Sequence, residues 1–261
     1  MIGAIAGDII GSRFEWDRIK SKDFELFARN CDFTDDSVLT IAVADALMNG
    51  GDYAEYLRKY TLAYRGRGYG DSFYRWALFH ESGPYGSFGN GSAMRVGAVG
   101  WMSNDMRTVL AEAERTAVVT HSHPEGIKGA QAVAAAIFMA RNGIDKAGMG
   151  RMISGQFGYD LDRKLDTIRE TYGFNETCQR TVPEALLCFL EATSYEDTVR
   201  NAVSLGGDSD TLACIAGSVA EAYYGVPTAI REQALSHLAP ELVTVVERFE
   251  RAYHPAHALQ V

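Results

Sequence analysis

Apolar residues recur along this chain at intervals of three and four, and the alternation that marks a half-buried strand is essentially missing. Val38, Ile41, Ala42 and Ala46 form one such face, with Asp45 beside it; Val133, Ala134, Ile137 and Phe138 form a second, and Leu242, Val245, Val246 and Phe249 a third. Glycine supplies most of the punctuation, at Asn49-Gly50-Gly51, Arg65 to Gly70, Gly83 to Gly91 and Gly206-Gly207. Pro183, Pro227 and Pro240 are expected in first turns of helices, where the missing N–H costs nothing. Ser194 with Asp197 three residues on matches a capping-box start. The spacing predicts about a dozen helices with short connections and no repeat, linker or low-complexity segment, hence a compact all-α domain.

At 261 residues and 47% hydrophobic the chain can bury a sizeable core, and a single domain over residues 1–261 is the expectation. Cys31, Cys178, Cys188 and Cys214 are widely spaced with no C-x-x-C pair, so they read as buried thiols in a reducing compartment. The opening MIGAIAGDIIGSRFEW has no basic leader and Asp8 interrupts its apolar stretch, against a signal peptide. The small-apolar run near Ala130 to Ala140 is shorter than the roughly 20 residues a membrane span needs. The expectation is a soluble cytoplasmic protein with no membrane partner. A net charge of −9 leaves no basic stripe to displace counterions from nucleic acid, which is not expected as a partner in its unmodified form.

The chemistry concentrates in acidic residues of three distant segments: Glu15 in GDIIGSRFE, Asp35 and Asp36 in FTDDS, and Asp208 and Asp210 in GGDSDT. Each has an ordinary alternative. Thr34 is a good N-cap, Asp35 and Asp36 suit the positive end of a helix dipole, and Phe33 could staple onto Val38. Glu15 serves equally as a solvated surface charge, and Asp8 as a cap or hydrogen-bonding group among packed helices. In GGDSDT, however, a lone cap needs one carboxylate and two are offered. If the two helix starts meet, Asp35, Asp36, Asp208 and Asp210 bring about four negative charges, which two divalent cations would neutralise. Thr34 and Thr211 could add neutral oxygens. With no histidine in either segment, the all-oxygen set favours Mg²⁺ or Mn²⁺ over Zn²⁺. Small residues at positions 3, 4, 6, 7 and 11 allow the first helix to approach its neighbours closely.

Together GDIIGSRFE (7–15), TDDS (34–37), SFGNGSAMR (87–95), THSHPEGIKGA (120–130) and GGDSDT (206–211) resemble the ADP-ribosylglycohydrolase family over nearly the whole chain. The resemblance implies a compact orthogonal all-α helical bundle with a dinuclear Mg²⁺ or Mn²⁺ centre, and cleavage of ADP-ribose from an acceptor. It assigns Thr34, Asp35, Asp36, Asp208, Asp210 and Thr211 to the metals and Glu15 to catalysis. It assigns Ser87, Phe88, Gly89, Asn90, Gly91 and His121 to the diphosphate and ribose. A glycine-rich turn suits phosphate through its backbone N–H groups. Arg95 reads equally as a brace or a ligand contact. The THSHP segment reads also as a helix start with Pro124 in its first turn, and His123 is left open. His80, His237, His254 and His257 have no motif around them.

The implied partners are an ADP-ribosylated protein or small molecule, with ADP-ribose as product. Ser37 and Ser209 stand where relatives often carry threonine, and both keep a hydroxyl. Two other readings stay open: a dinuclear phosphohydrolase, which the same acidic cluster would serve, and a non-enzymatic member of the family. Loss of ligands would mark the latter, and all six residues that the resemblance assigns to the metals are present, with Glu15.

Overall fold

The computed structural model describes residues 1–79 and 83–253. His80, His254 and His257 lie outside the described residues. The helices run α1 (Ile2–Ser12), α2 (Asp35–Asn49), α3 (Tyr53–Ala63), α4 (Asp71–Leu78), the single turn α5 (Gly91–Met94), a 3-10 turn (Val99–Trp101), α6 (Met106–Val118), α7 (Pro124–Arg141) and α8 (Lys146–Phe157). They continue with α9 (Leu165–Thr171), α10 (Cys178–Glu191), α11 (Tyr195–Ser204), α12 (Ser209–Tyr224), α13 (Thr228–His237) and α14 (Pro240–Tyr253). Among the described residues the one β-type pairing is an isolated bridge between Gly89 and Thr177, so the all-α expectation holds.

The three periodic faces lie on α2, α7 and α14 and point inward, with Phe138 alone left half-buried. α12 is buried around its whole circumference from Ser209 to Glu221, with α1, α7, α10 and α11 packed about it. Such a helix shows little amphipathic contrast, because no face of it meets water. Apart from Ala192, the buried apolar residues form one continuous cluster from Met1 to Phe249. No helix of the described residues is long and apolar enough to cross a membrane. All four cysteines are buried and unpaired.

The local signals behave as their chemistry dictates. The Thr34 side chain accepts from Asp36 N–H to cap α2, and Ser194 accepts from Asp197 N–H to cap α11. Gly50 ends α2 in the left-handed conformation at φ 61°. Pro124 and Pro240 open α7 and α14, and Pro227 immediately precedes α13. Pro183 departs from expectation and lies inside α10. A tertiary contact sets that helix start: Cys178 N–H donates to Phe88 O at 3.0 Å, anchoring the first residue well ahead of the proline.

Candidate functional site

The site is assembled by α1. Its glycines fall at positions 3, 7 and 11, four apart and therefore on one face. A β-carbon on Gly3 would lie 2.5 Å from Gly217 O, one on Gly7 2.1 Å from Ala213 O, and one on Gly11 2.4 Å from Ser209 O. As the number on α1 rises by four, its partner on α12 falls by four, so the helices run antiparallel in direct backbone contact. Each interior glycine costs about 0.5–1 kcal/mol relative to alanine, and here the close approach requires it. The consequence is positional. The end of α1, followed by Glu15, is delivered to the start of α12, where Asp208 is the residue before the helix and Asp210 lies in its first turn.

The same helix fixes the second acidic segment. Asp8 is fully buried, and its carboxylate accepts from Thr34 N–H (3.0 Å), Thr34 Oγ1 (2.6 Å), Ser37 N–H (3.1 Å) and Ser37 Oγ. It thus satisfies the free donors at the start of α2 from a neighbouring helix. Burial raises the Asp8 carboxyl to about 6 against the lowering effect of these bonds. Because the Thr34 hydroxyl gives its proton to Asp8 and accepts from Asp36 N–H, one of its lone pairs remains available.

The three segments therefore meet. Carboxylate oxygens of Glu15, Asp208 and Asp210 all lie within 4.8 Å of one another. Thr211 Oγ1 donates to Asp36 Oδ1 at 3.4 Å, tying the second segment to the third. Asp35 is pushed well above the usual carboxylate range by burial, with Asp8 and Asp208 adding repulsion. Asp36 is raised in the same way by burial and Asp8, and Asp210 by burial and Asp208. Glu15, half-buried just past α1, is raised to about 7 by burial and by Asp208. Asp36 Oδ2 is buried without a hydrogen-bond partner. An orphaned carboxylate oxygen amid converging all-oxygen donors is what a pair of hard divalent cations would satisfy, so this donor set fits them.

The Ser87–Gly91 loop lies against the same cluster. Asn90 Nδ2 donates to Asp208 Oδ2 at 2.7 Å and to Thr181 Oγ1 at 3.2 Å, so this side chain braces an acid of the cluster. Three of the loop's amides are engaged within the protein: Ser87 N–H with Thr120 O, Gly89 N–H with Ser87 Oγ, and Asn90 N–H with Glu176 O. For those of Phe88 and Gly91 no such partner is found among the described residues. Phe88 is 47% exposed, edge-on to His123 with ring centres 5.3 Å apart. His123 itself is the cap of α7, its Nδ1 accepting from Glu125 N–H. His121 is buried beneath the loop, Nδ1 at 2.7 Å from Thr120 Oγ1, and burial together with the Arg95 charge holds its pKa well below the usual value. Arg95 is fully buried as a brace, donating to Thr116 O and Thr120 Oγ1. His237 lies apart, against Phe27.

Two features had no sequence signal. Glu176, in GFNETC with no motif around it, stands near Asp208 and Glu15 and is raised by burial and then by Asp208. Trp16, 75% exposed, stacks on Phe174 at 5.7 Å, and the Arg18 guanidinium lies 4.8 Å from the Phe174 ring centre. This aromatic pair borders the Glu15 side of the cluster. Lys20 Nζ holds the Glu15 segment down by donating to Tyr172 O and Leu205 O.

Comparison with known proteins places these features in context. A family profile described as ADP-ribosylglycohydrolase matches residues 1–258. The chain is 26% identical to the zebrafish (Danio rerio) ADP-ribosylhydrolase ARH3, over 87% of this chain and 82% of that protein. It is 25% identical to the ADP-ribosylarginine hydrolase Tri1 of Pseudomonas putida, over 97% of this chain and 77% of that protein. A solved structure described as an ADP-ribosylglycohydrolase-related protein complex superposes with a TM-score of 0.70 at 23% identity, covering 96% of both chains, and shows the shared fold.

Proposed function

The chain belongs to the ADP-ribosylglycohydrolase family, and from that premise we propose that it is a metal-dependent hydrolase cleaving the glycosidic bond between ADP-ribose and an acceptor. One observation carries the reading: segments some 200 positions apart bring Glu15, Asp208 and Asp210 within 4.8 Å, with Asp35 and Asp36 beside them and the Ser87–Gly91 loop adjoining.

The cofactors are two divalent cations, Mg²⁺ or Mn²⁺. Thr34, Asp35, Asp36, Asp208, Asp210 and Thr211 would hold them, and when bound they supply Lewis-acid polarisation of ribose hydroxyls and of a water. The remaining work falls to the protein's own groups. Cleavage passes through an oxocarbenium-like ribose, and the carboxylates of Glu15 and Glu176 face that developing positive charge. Glu15, half-buried beside Asp208, takes a proton from the attacking water or gives one to the leaving group. Asp8 and Asn90 hold the α2 start and Asp208 in place, so the ligand set needs little reorganisation on binding. The amides of Phe88 and Gly91, with His121 beneath, receive the diphosphate, while Ser87 and Gly89 shape the turn. The Trp16–Phe174 pair forms the wall nearest the acceptor.

The test is incubation of the purified protein with ADP-ribosylated arginine, serine and nucleic acid and with O-acetyl-ADP-ribose, with and without a chelator. ADP-ribosylated arginine is included because one relative is named as an ADP-ribosylarginine hydrolase. Metal-dependent release of free ADP-ribose is expected from at least one substrate. Release of AMP or phosphate instead would make the protein a phosphohydrolase, and no product from any substrate with metal present would overturn the reading.

A further inference from the structure

We infer that Arg95 and Thr120 are positioning residues that hold His121 as the neutral tautomer protonated on Nε2, so that the ring donates to a phosphate oxygen of a ligand seated on the Ser87–Gly91 loop. The inference rests on the ADP-ribose reading above and adds to it the state of one group and the two residues that impose it.

Arg95 has no solvent exposure. Its Nη2 donates to Thr116 O at 2.9 Å and to Thr120 Oγ1 at 2.8 Å, while Nε and Nη1 are buried without a hydrogen-bond partner. A guanidinium offers only donors, so the Thr120 oxygen must accept from it, and the single Thr120 proton goes elsewhere. At 2.7 Å from the hydroxyl lies His121 Nδ1, to which the inference assigns that proton. An oxygen that gives its proton to Nδ1 makes that nitrogen the acceptor, and a neutral imidazole then carries its hydrogen on Nε2. Tyr85 is also hydrogen-bonded to Thr120; burial pushes its hydroxyl up to about 12, so it stays a phenol able to fill the oxygen's remaining lone pair, and the inference requires that it does, leaving the Thr120 proton for Nδ1. Electrostatics acts in the same direction. The Arg95 charge shares Thr120 Oγ1 with Nδ1, and beside a cation a lone pair is favoured over an N–H.

The other nitrogen faces the loop. A β-carbon on Gly89 or Gly91 would lie 3.5 or 3.3 Å from Nε2, so the ring edge reaches the loop through the space those glycines leave. Among the described residues Nε2 has no hydrogen-bond partner. With a proton there it meets an anion as a donor; the opposite tautomer would turn a lone pair toward a negative oxygen. A diphosphate would also supply the counter-charge that the buried Arg95 lacks, since among the described residues no carboxylate pairs with it and an unpaired buried charge is costly.

The test uses the full-length protein labelled with ¹⁵N, reading His121 by long-range ¹H–¹⁵N correlation, with calorimetric titration of free ADP-ribose. Wild type is expected to show an unprotonated, pyridine-type Nδ1 and a protonated Nε2. Thr120→Val, which removes the hydroxyl at nearly constant volume, should weaken ADP-ribose binding by roughly tenfold, raise KM in parallel and leave kcat little changed. Thr120→Ser should restore both tautomer and affinity. A protonated Nδ1 in the wild type, or unchanged affinity in Thr120→Val, overturns the inference. Failure of the wild type to bind ADP-ribose would overturn the functional reading instead, while the tautomer measurement judges the relay independently.

Discussion

Replacing Gly11 by alanine tests the packing that assembles the site. Its β-carbon would lie 2.4 Å from Ser209 O, 2.6 Å from Asp210 Cα and 2.7 Å from Asp210 N, all backbone atoms that no rotamer change can move aside. Reaching an ordinary 3.4 Å contact requires the helices to part by 1.0 Å, the difference between 3.4 and 2.4 Å. Overpacking of this kind costs about 1–3 kcal/mol, against a helix-propensity gain of about 1 kcal/mol. The net is a loss of about 0–2 kcal/mol, and at about 2–4 °C per kcal/mol for chains near this size the Tm falls by several degrees at most. The larger effect is expected at the proposed cation site. Metal ligands tolerate displacements of about 0.2 Å, and Asp210 would move several times that, so Mg²⁺ affinity should drop by about 10–100-fold. Thermal unfolding and calorimetric Mg²⁺ titration read the two effects. Gly155→Ala is the control: its position in α8 has nothing within 4 Å, so it should raise stability by about 0.5–1 kcal/mol and leave Mg²⁺ binding alone. If Gly11→Ala stabilises like the control and titrates normally, the account of how α1 sets the site is refuted.

Glu15→Gln should lower kcat for ADP-ribose release by about 10²–10⁴-fold without lowering Tm, since it too relieves repulsion from Asp208; comparable turnover would remove Glu15 from the chemistry, and a loss of Mg²⁺ affinity would instead make it a ligand. Asp36→Asn should act in opposite directions in two states. It removes one charge from a buried, mutually repelling group, so unfolding in EDTA should shift upward, while the Mg²⁺-induced rise in Tm shrinks because a charged ligand is gone. Scanning fluorimetry with and without Mg²⁺ measures both, and an undiminished Mg²⁺ response would remove Asp36 from the ligand set.

The helices, their caps and the identity of the acidic residues are properties of the sequence by itself. Thr34, Ser194, Pro124 and the inward faces of α2, α7 and α14 all depend on interactions among residues at most four apart, which the chain carries wherever it folds. The small residues of the first segment likewise announced a close approach, though not its partner. Tertiary structure alone decided the rest. It chose α12 as that partner and antiparallel as the direction, turned Asp8 into a cap for another helix, directed Asn90 at Asp208, and brought Glu176 beside Glu15. It began α10 ahead of Pro183 through a bond to the Phe88 carbonyl, and it buried Arg95 beneath a loop whose engaged amides no local pattern marks. Local periodicity cannot carry such facts, because each depends on which backbone surfaces fit together across nearly the whole length of the chain.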